Sequence, residues 1–199
     1  MKTFNKTLIA AATLTTFGLA AAPAAVALDA SASVATSYLW RGLELGNADA
    51  ALAVDLSDSM GAVSYGLWVS SGDNRAGSGT EYDLYASYAG SVGEIGYSIG
   101  YASYNYPTSA VGFDDNAEYI YGLSYGPASV TVYDEKGGAG EYTVIGYEAG
   151  AYSFAYGDHE VPDLQHFDVS YAVNDSLSLT VSKMDNADAN VVATYTLPF

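Results

Sequence analysis

The stretch Val191-Val192-Ala193-Thr194-Tyr195-Thr196-Leu197-Pro198-Phe199 is the most informative part of this chain. Its side chains alternate, with apolar or aromatic residues at every second position up to Phe199 and more polar ones, such as Thr194 and Thr196, between them. This period-two pattern predicts a β-strand with one apolar face. A soluble protein seldom exposes such a strand, because its edge and apolar face invite aggregation. A closed barrel in a lipid bilayer requires one, apolar outward and more polar inward, so the stretch predicts a membrane barrel.

Residues 1–27 have the composition of a secretory signal peptide. Lys2 and Lys6 form a basic start, which a mostly apolar run over residues 8–22 follows. Residues 25–27, Ala-Val-Ala, fit a small-x-small cleavage site. We therefore expect residues 1–27 to be removed on export and residues 28–199 to form the mature domain. A buried N-terminal helix is the alternative interpretation of the same run.

The composition of the remaining chain fits a barrel better than other exported folds. It has no apolar run near the about 18 residues that a spanning helix needs. The sequence has no cysteine, so no disulfide can stabilise it, but it has 19 tyrosines and 21 glycines. A closed barrel needs no disulfide, because every strand is hydrogen-bonded on both sides.

The charge balance after residue 27 is strongly acidic. All 23 acidic residues lie there, against Arg41, Arg75, Lys136 and Lys183. A nucleic-acid partner is excluded, because phosphate contacts need a basic patch. Two interpretations of the acidity remain open: a path that attracts cations, or acidic loops that face the medium.

Alternation recurs through the mature chain and predicts twelve antiparallel strands, with ten to fourteen as the range. The predicted apolar faces lie in residues 34–40, 52–56, 63–69, 82–88, 95–101, 119–125, 128–132, 142–144, 152–156, 167–171, 177–181 and 191–199. Short turns alternate with longer, more polar connections at 42–49, 71–80, 105–116, 135–140, 158–163 and 184–190. Short periplasmic turns and longer outer loops are typical of an all-β, up-and-down barrel in the outer membrane.

Several blocks of the sequence resemble the TorF-like family of porins of Gram-negative bacteria. The blocks are Ser-Tyr-Leu-Trp-Arg-Gly at 37–42 and the acidic, aromatic stretches at 81–90, 100–107 and 118–126. The resemblance implies an integral outer-membrane barrel that passes solutes, and it supplies no substrate and no catalytic residue. The ending also resembles the C-terminal signal of outer-membrane barrels. This resemblance implies that Tyr195, Leu197 and Phe199 are recognised by the barrel-assembly machinery.

Few residues are suited to catalysis or to metal binding. Asp158-His159-Glu160 has metal-ligand residue types, but a solvated acidic loop is the interpretation we favour. His166 and Asp168 share an inward face, which with an inward serine suggests a hydrolase. Neighbours at i and i+2 on a strand project in parallel and rarely bond, so a polar lumen lining is favoured. The sequence thus predicts no enzyme, no cofactor and no metal site.

Five charged residues are predicted to point into the lumen, because a charge on the lipid face at mid-depth is costly. These lumen and selectivity candidates are Arg41, Asp55, Asp83, Glu118 and Asp168. Arg41 is placed at the outer end of the first strand. Either it pairs with one or two of the acids and fixes the wall, or it tunes a conduction path.

The sequence therefore predicts a porin-like channel for passive passage of small solutes, with a preference for cations if carboxylates line the pore. Its expected partners are outer-membrane lipid, lipopolysaccharide and small solutes. Side chains fill barrels of about eight strands, whereas barrels of sixteen or more strands have an open channel. A barrel of twelve strands lies between these cases, so the sequence does not decide the width of the pore. The first alternative is a non-conducting barrel with a binding, adhesion or envelope-structural role. A lipid-modifying enzyme is the next alternative, and a soluble secreted β-protein is the last.

Overall fold

The computed structural model describes residues 28–72 and 79–199, and these residues form a closed β-barrel. The strands are β1 (Asp29–Ala35), β2 (Leu39–Trp40), β3 (Leu43–Glu44), β4 (Ala51–Met60), β5 (Val63–Ser70), β6 (Glu81–Val92), β7 (Ile95–Asn105), β8 (Asn116–Tyr125), β9 (Ala128–Glu135), β10 (Glu141–Ala149), β11 (Tyr152–His159), β12 (Leu164–Ala172), β13 (Leu177–Met184) and β14 (Asn190–Pro198). Twelve of them form the wall, and β2 with β3 forms a separate hairpin. The predicted signal peptide, residues 1–27, lies outside the described residues.

The wall has up-and-down topology. Each wall strand pairs antiparallel with the next one along the chain, and β14 pairs with β1 to close the barrel, with Val34 opposite Tyr195. The predicted fold class and strand number are confirmed. Two-residue connections such as 93–94 and 126–127 alternate with longer ones such as 106–115. We call these two ends the turn side and the loop side.

The outer surface of the wall is apolar, as the alternation predicts. In β14, Val191, Tyr195 and Leu197 are exposed, whereas Val192 and Thr194 are buried. Outward residues of other wall strands are exposed in the same way, for example Ile99, Tyr121, Leu123, Ile145, Phe167 and Leu179. In water this surface would be unfavourable, and in lipid it is the surface that an outer-membrane barrel presents. No helix among the described residues is long and apolar enough to cross a membrane.

The lumen differs between the two ends of the barrel. On the turn side the inward side chains are small, and several are only partly buried although they point inward: Ser57, Ser64, Ser87, Ser98, Ser124, Ser129 and Ser153. On the loop side the inward residues are larger and almost fully buried, such as Tyr104, Ile120 and Tyr133. The turn-side half of the lumen therefore holds accessible space, whereas large side chains narrow the loop-side half.

The segment between the first two wall strands, β1 and β4, lies in the loop-side lumen. Its position differs from the prediction for this part of the sequence. The alternation over 34–40 predicted one strand followed by an outer loop, but β1 ends at Ala35. Residues 36–50, here called the lumen hairpin, fold back into the barrel. Tyr38 stacks on Trp68 of β5, Arg41 bonds Glu118 of β8, and Leu39 packs on Val192 of β14. Only a segment in the lumen can contact strands so far apart around the wall.

Strand β10 also differs from the prediction, which placed Tyr142 and Val144 on its apolar face. Both side chains are buried inside the barrel, and Ile145 and Tyr147 are exposed on the outside. The strand is apolar on both faces because its inward residues pack in one cluster with Tyr104, Ile120 and Tyr133, around the lumen hairpin. Alternation cannot assign the outer face of a strand whose two faces are both apolar.

Candidate functional site in the barrel lumen

The tip of the lumen hairpin is a two-residue turn made of Arg41 and Gly42. Trp40 pairs with Leu43 across the turn, and the φ angles of Arg41 and Gly42 are 48° and 80°. Two successive positive φ angles are typical of a type I′ hairpin turn, which glycine adopts freely. Arginine adopts this conformation at a cost of about 1–2 kcal/mol. The contacts of the Arg41 side chain have to offset that cost.

Arg41 is held by a two-pronged ion pair with Glu118 and by three aromatic rings. Its Nη1 and Nη2 donate to Glu118 Oε1 and Oε2 at 2.7 and 2.6 Å. The guanidinium carbon lies 4.4, 4.1 and 4.6 Å from the ring centres of Trp40, Tyr133 and Tyr142. Such geometry combines bidentate bonding with cation–π attraction, which suits arginine and not lysine. With 5% exposure, Arg41 is a buried cation that depends on Glu118 for its counter-charge.

The base of the lumen hairpin is fixed by two other carboxylates. Glu44 accepts hydrogen bonds from the Ser37 hydroxyl at 2.6 Å and from the backbone N–H groups of Gly46 and Ala48. Glu81, on β6, accepts from the Tyr38 hydroxyl at 2.7 Å. Glu44 thus braces the segment internally, and Glu81 attaches it to the wall. Apolar contacts of Leu39 with Val192 and of Tyr38 with Trp68 add to this attachment.

Two histidines lie under the turn. His159 Nε2–H donates to the carbonyl oxygen of Arg41 at 2.9 Å. His166 Nδ1–H donates to Asp168 Oδ1 at 3.0 Å, and His166 Nε2 accepts from the Tyr142 hydroxyl at 2.8 Å. The expectation that His166 and Asp168 would not bond is thus wrong. The imidazole Nδ1 reaches along the strand and meets the carboxylate two residues on.

Two glycines make room for this network. A Cβ at Gly42 would lie 2.5 Å from Cγ of His166. A Cβ at Gly157 would collide with His166 Nε2 and lie 2.5 Å from the Tyr142 hydroxyl. The hydrogen bond between Tyr142 and His166 therefore exists because β11 carries no side chain at position 157.

We expect Gly157→Ala to lower the free energy of unfolding by about 1–3 kcal/mol, the usual cost of overpacking. The new methyl group must separate Tyr142 from His166 and leave buried polar atoms poorly paired. Urea unfolding in lipid vesicles measures the effect. Gly140→Ala is the matched control, because its Cβ would meet Val161 at an ordinary 3.4 Å. Equal stability of the two variants would contradict the role of Gly157.

The structure brings three of the five predicted lumen residues together and places the other two on the same inward surface. Arg41, Glu118 and Asp168 belong to the hairpin site. Asp55 contacts a different residue, because both of its oxygens accept from the Tyr85 hydroxyl, at 3.1 and 2.9 Å. Asp83 is 3% exposed and pairs in register with Tyr104. Their roles in selectivity stay predictions.

A cavity of about 310 Å³ opens at the loop side of the site. Its lining is aromatic and acidic, including Trp40, Tyr106, Glu135 and Glu141, and Arg41 with Glu118 also borders it. Within the described residues, Arg41 is the only arginine or lysine on this lining. The cavity is therefore a vestibule with a negative rim, and the lumen hairpin forms part of its lining.

His159, Tyr104 and Tyr106 were not predicted from the sequence to belong to this site. Tyr104 also donates to Glu118 Oε2 at 2.6 Å, and Tyr106 donates to Glu81 Oε1 at 2.8 Å. His159 was assigned to an acidic loop, but it is the last residue of β11 and points inward. Among residues 28–72 and 79–199 no cluster of metal-ligating side chains is present.

Outside the wall, Lys136 and Asp114 join two loop-side connections. Lys136 Nζ bonds Asp114 Oδ2 at 2.6 Å, and the Tyr101 hydroxyl bonds Oδ1 at 2.6 Å. The hydrogen bond from Lys136, followed by that from Tyr101, lowers the pKa of Asp114 from its usual 3.8. The lowered pKa means that this contact stabilises the fold above pH 3.8 and is lost as the pH falls through the lowered pKa.

We expect Lys136→Met to raise the pKa of Asp114 toward its usual value, because the charged donor is gone. The carboxyl ¹³C shift of Asp114 against pH measures it. Lys183→Met, far from this contact in sequence, is the control and should leave the Asp114 titration unchanged. A pKa that does not move in Lys136→Met would show that the ion pair is not formed in solution.

Solved structures similar to this chain are outer-membrane phospholipases. Outer membrane phospholipase A from Escherichia coli matches at 10% identity over 89% of this chain and 94% of that chain, with a TM-score of 0.46. The calcium-bound dimer of the Salmonella typhi enzyme matches at 11% identity over 84% and 89%, with a TM-score of 0.47. No functionally curated protein matches the sequence.

These structures correct the prediction that the chain is not an enzyme. The matched proteins are phospholipases by their names, so the prediction of no enzyme does not stand. The resemblance to TorF-like porins is borne out for the barrel fold, and no comparison names a porin family. A family model described as "Bacterial protein of unknown function (Gcw_chp)" matches residues 19–181, and the chain belongs to this family.

Proposed function

We propose that this protein is a narrow outer-membrane channel for small solutes, constricted by the lumen hairpin and favouring cations. The barrel lies among outer-membrane lipid and lipopolysaccharide, and the barrel-assembly machinery inserts it. The observation that carries the proposal is the contrast between the two halves of the lumen. Partly exposed serines line the turn side, while the loop side is narrowed by the lumen hairpin, which is not part of the barrel wall.

The register of the wall supports the second part of this statement. Ala35 of β1 lies directly opposite Ala51 of β4, so a tight turn can join the two strands. The segment between them, residues 36–50, is therefore an insertion into the lumen and not a part of the wall. The insertion is held by an ion pair and hydrogen bonds as well as by apolar packing. Its polar contacts can be exchanged for contacts with water, which suits an element that regulates passage.

The preference for cations follows from the charges along the proposed path. The vestibule rim carries Glu135 and Glu141, and Asp55 and Asp83 lie on the inward surface of the wall. Arg41 is neutralised by Glu118 and adds no net positive charge. Carboxylates along a narrow path lower the energy of cations and raise that of anions.

Planar-bilayer recording of a variant with residues 36–50 replaced by Asn-Gly tests the proposal. We expect a several-fold larger conductance than in the parent and a reversal potential in a KCl gradient that shows cation preference. Asp55→Asn in the same variant should reduce the preference, because one lumen carboxylate is lost. A folded, membrane-inserted variant that passes no current over many insertions would overturn the channel.

The second candidate is a non-conducting barrel with a binding, adhesion or envelope-structural role. The nearly complete burial of Arg41 favours it, because a buried, fully paired guanidinium is typical of a fixed element. The same recording separates the two candidates, since a structural barrel should stay silent even without the lumen hairpin.

A further inference from the structure

The chain has only two histidines, and both contact the turn of the lumen hairpin. His159 donates its Nε2–H to the Arg41 carbonyl oxygen, and the His166 ring lies against Gly42. The two rings come from neighbouring strands, β11 and β12, and their centres are 6.0 Å apart. Histidine is the side chain whose charge ordinarily changes between about pH 5 and 8.

We propose that the lumen hairpin is a proton-operated gate, closed while His159 is neutral and released when His159 is protonated. This inference concerns the regulation of the constriction and rests on the proposed channel for its physiological meaning. The movement of the hairpin itself can be measured without any current.

The charges around the turn give the direction of the effect. Arg41 on the hairpin is balanced by Glu118 of β8. Asp168 of β12 accepts a hydrogen bond from His166 Nδ1–H at 3.0 Å. The hydroxyls of Tyr104, Tyr133 and Tyr142 also face the turn and are neutral at these pH values. The cavity that Arg41 and His159 border is further lined by the carboxylates of Glu81, Glu135 and Glu141.

Among the described residues, the hydrogen bond of His159 goes to a backbone carbonyl and not to a carboxylate. Its ring faces Arg41 through the hydrogen-bonded carbonyl and lies 4.5 Å from the ring of Tyr142. The carboxylate of Asp158, its neighbour on β11, is engaged by the side-chain amide of Gln165 at 2.7 Å. A cationic His159 therefore adds a positive charge beside Arg41 at a place where both residues are almost fully buried. In the released state these cations are solvated, so acid shifts the equilibrium toward release.

The tryptophans offer a direct reporter of the movement. The sequence has two, Trp68 on β5 and Trp40 on the lumen hairpin, so Trp68→Phe leaves Trp40 alone. Collisional quenching by acrylamide reports how far water-borne molecules reach Trp40. The quenching constant of the Trp68→Phe protein in lipid vesicles should be measured from about pH 7.5 to about pH 5, the range in which histidine titrates.

We expect the quenching constant to rise at least about twofold toward the acid end of this range, through a midpoint where histidine titrates. His159→Gln is the matched variant, because the glutamine amide can donate to the Arg41 carbonyl but cannot take up a proton. In it the rise should be lost. A flat profile in the Trp68→Phe protein, or an equal rise in the His159→Gln variant, would overturn the gate.

Recording the current at both pH values separates this inference from the channel proposal. If acid raises both the quenching constant and the conductance, and His159→Gln abolishes both, the gate and the channel are supported together. If acid raises the quenching constant with no current at either pH, the gate stands and the channel fails. If conductance rises at acid pH without a change at Trp40, the gate fails and the channel stands.

Discussion

Replacing Glu118 with glutamine is expected to release the lumen hairpin from the barrel. The Glu118→Gln variant would keep the shape of the wall but leave the Arg41 guanidinium buried without a counter-charge. Breaking a buried ion pair on one side costs about 3–5 kcal/mol, enough to shift the hairpin equilibrium more than about 100-fold. Trypsin, which cleaves after arginine, measures the release. The bond after Arg41 should resist cleavage in the parent, where Arg41 is 5% exposed, and be cut in the variant.

Glu135→Gln is the matched control for this experiment. Glu135 pairs in register with Glu118 on the neighbouring strand but is exposed at the vestibule rim. Its neutralisation removes the same charge and should leave the bond after Arg41 protected. Rapid cleavage after Arg41 in the parent, or equal protection in Glu118→Gln, would show that the ion pair does not hold the hairpin.

A second large effect is expected on the outer surface of the wall. Ile99 points outward near the middle of β7, opposite Tyr121, and its side chain is exposed. Ile99→Arg would place a charge in lipid, which costs about 2–4 kcal/mol near the bilayer midplane. Urea unfolding from lipid vesicles should therefore show a correspondingly lower free energy of unfolding.

The adjacent residue is the control for the position of the membrane. Ser98 belongs to the same strand but points into the turn-side lumen, where it is only partly buried. Ser98→Arg should cost clearly less than Ile99→Arg, because its guanidinium can stay hydrated. Equal costs, or the reverse order, would mean that lipid does not surround the barrel.

The strands of the wall could be predicted from the sequence because the patterns that specify them are local. Alternation assigns each strand, and the spacing of turn residues counts them, so twelve strands and the outward side of β14 follow without any long-range contact. The lumen hairpin was not predictable in this way. Residues 34–40 alternate in the same manner as a wall strand, and the contact that draws them inward joins Arg41 to Glu118, 77 residues away.

One local signal did exist at the hairpin. Arg41-Gly42 lies between the short strands β2 and β3 in the manner of a two-residue hairpin turn, although arginine is unusual there. The inward position of Arg41 was expected, but as the end of a wall strand and not as the tip of a turn. The bond between His166 and Asp168 was missed because strand geometry alone does not account for the reach of imidazole Nδ1.

The most direct test of the account asks whether the lumen hairpin itself blocks conduction. Leu39 and Val192 pack together, and the sequence has no cysteine, so cysteines at these two positions can be joined by a short, reducible thiol crosslinker. In the Glu118→Gln background, we expect the crosslinked protein to be silent in a planar bilayer and a current to appear when reductant cleaves the link. A crosslinked protein that conducts as well as the reduced one would show that the lumen hairpin does not block conduction.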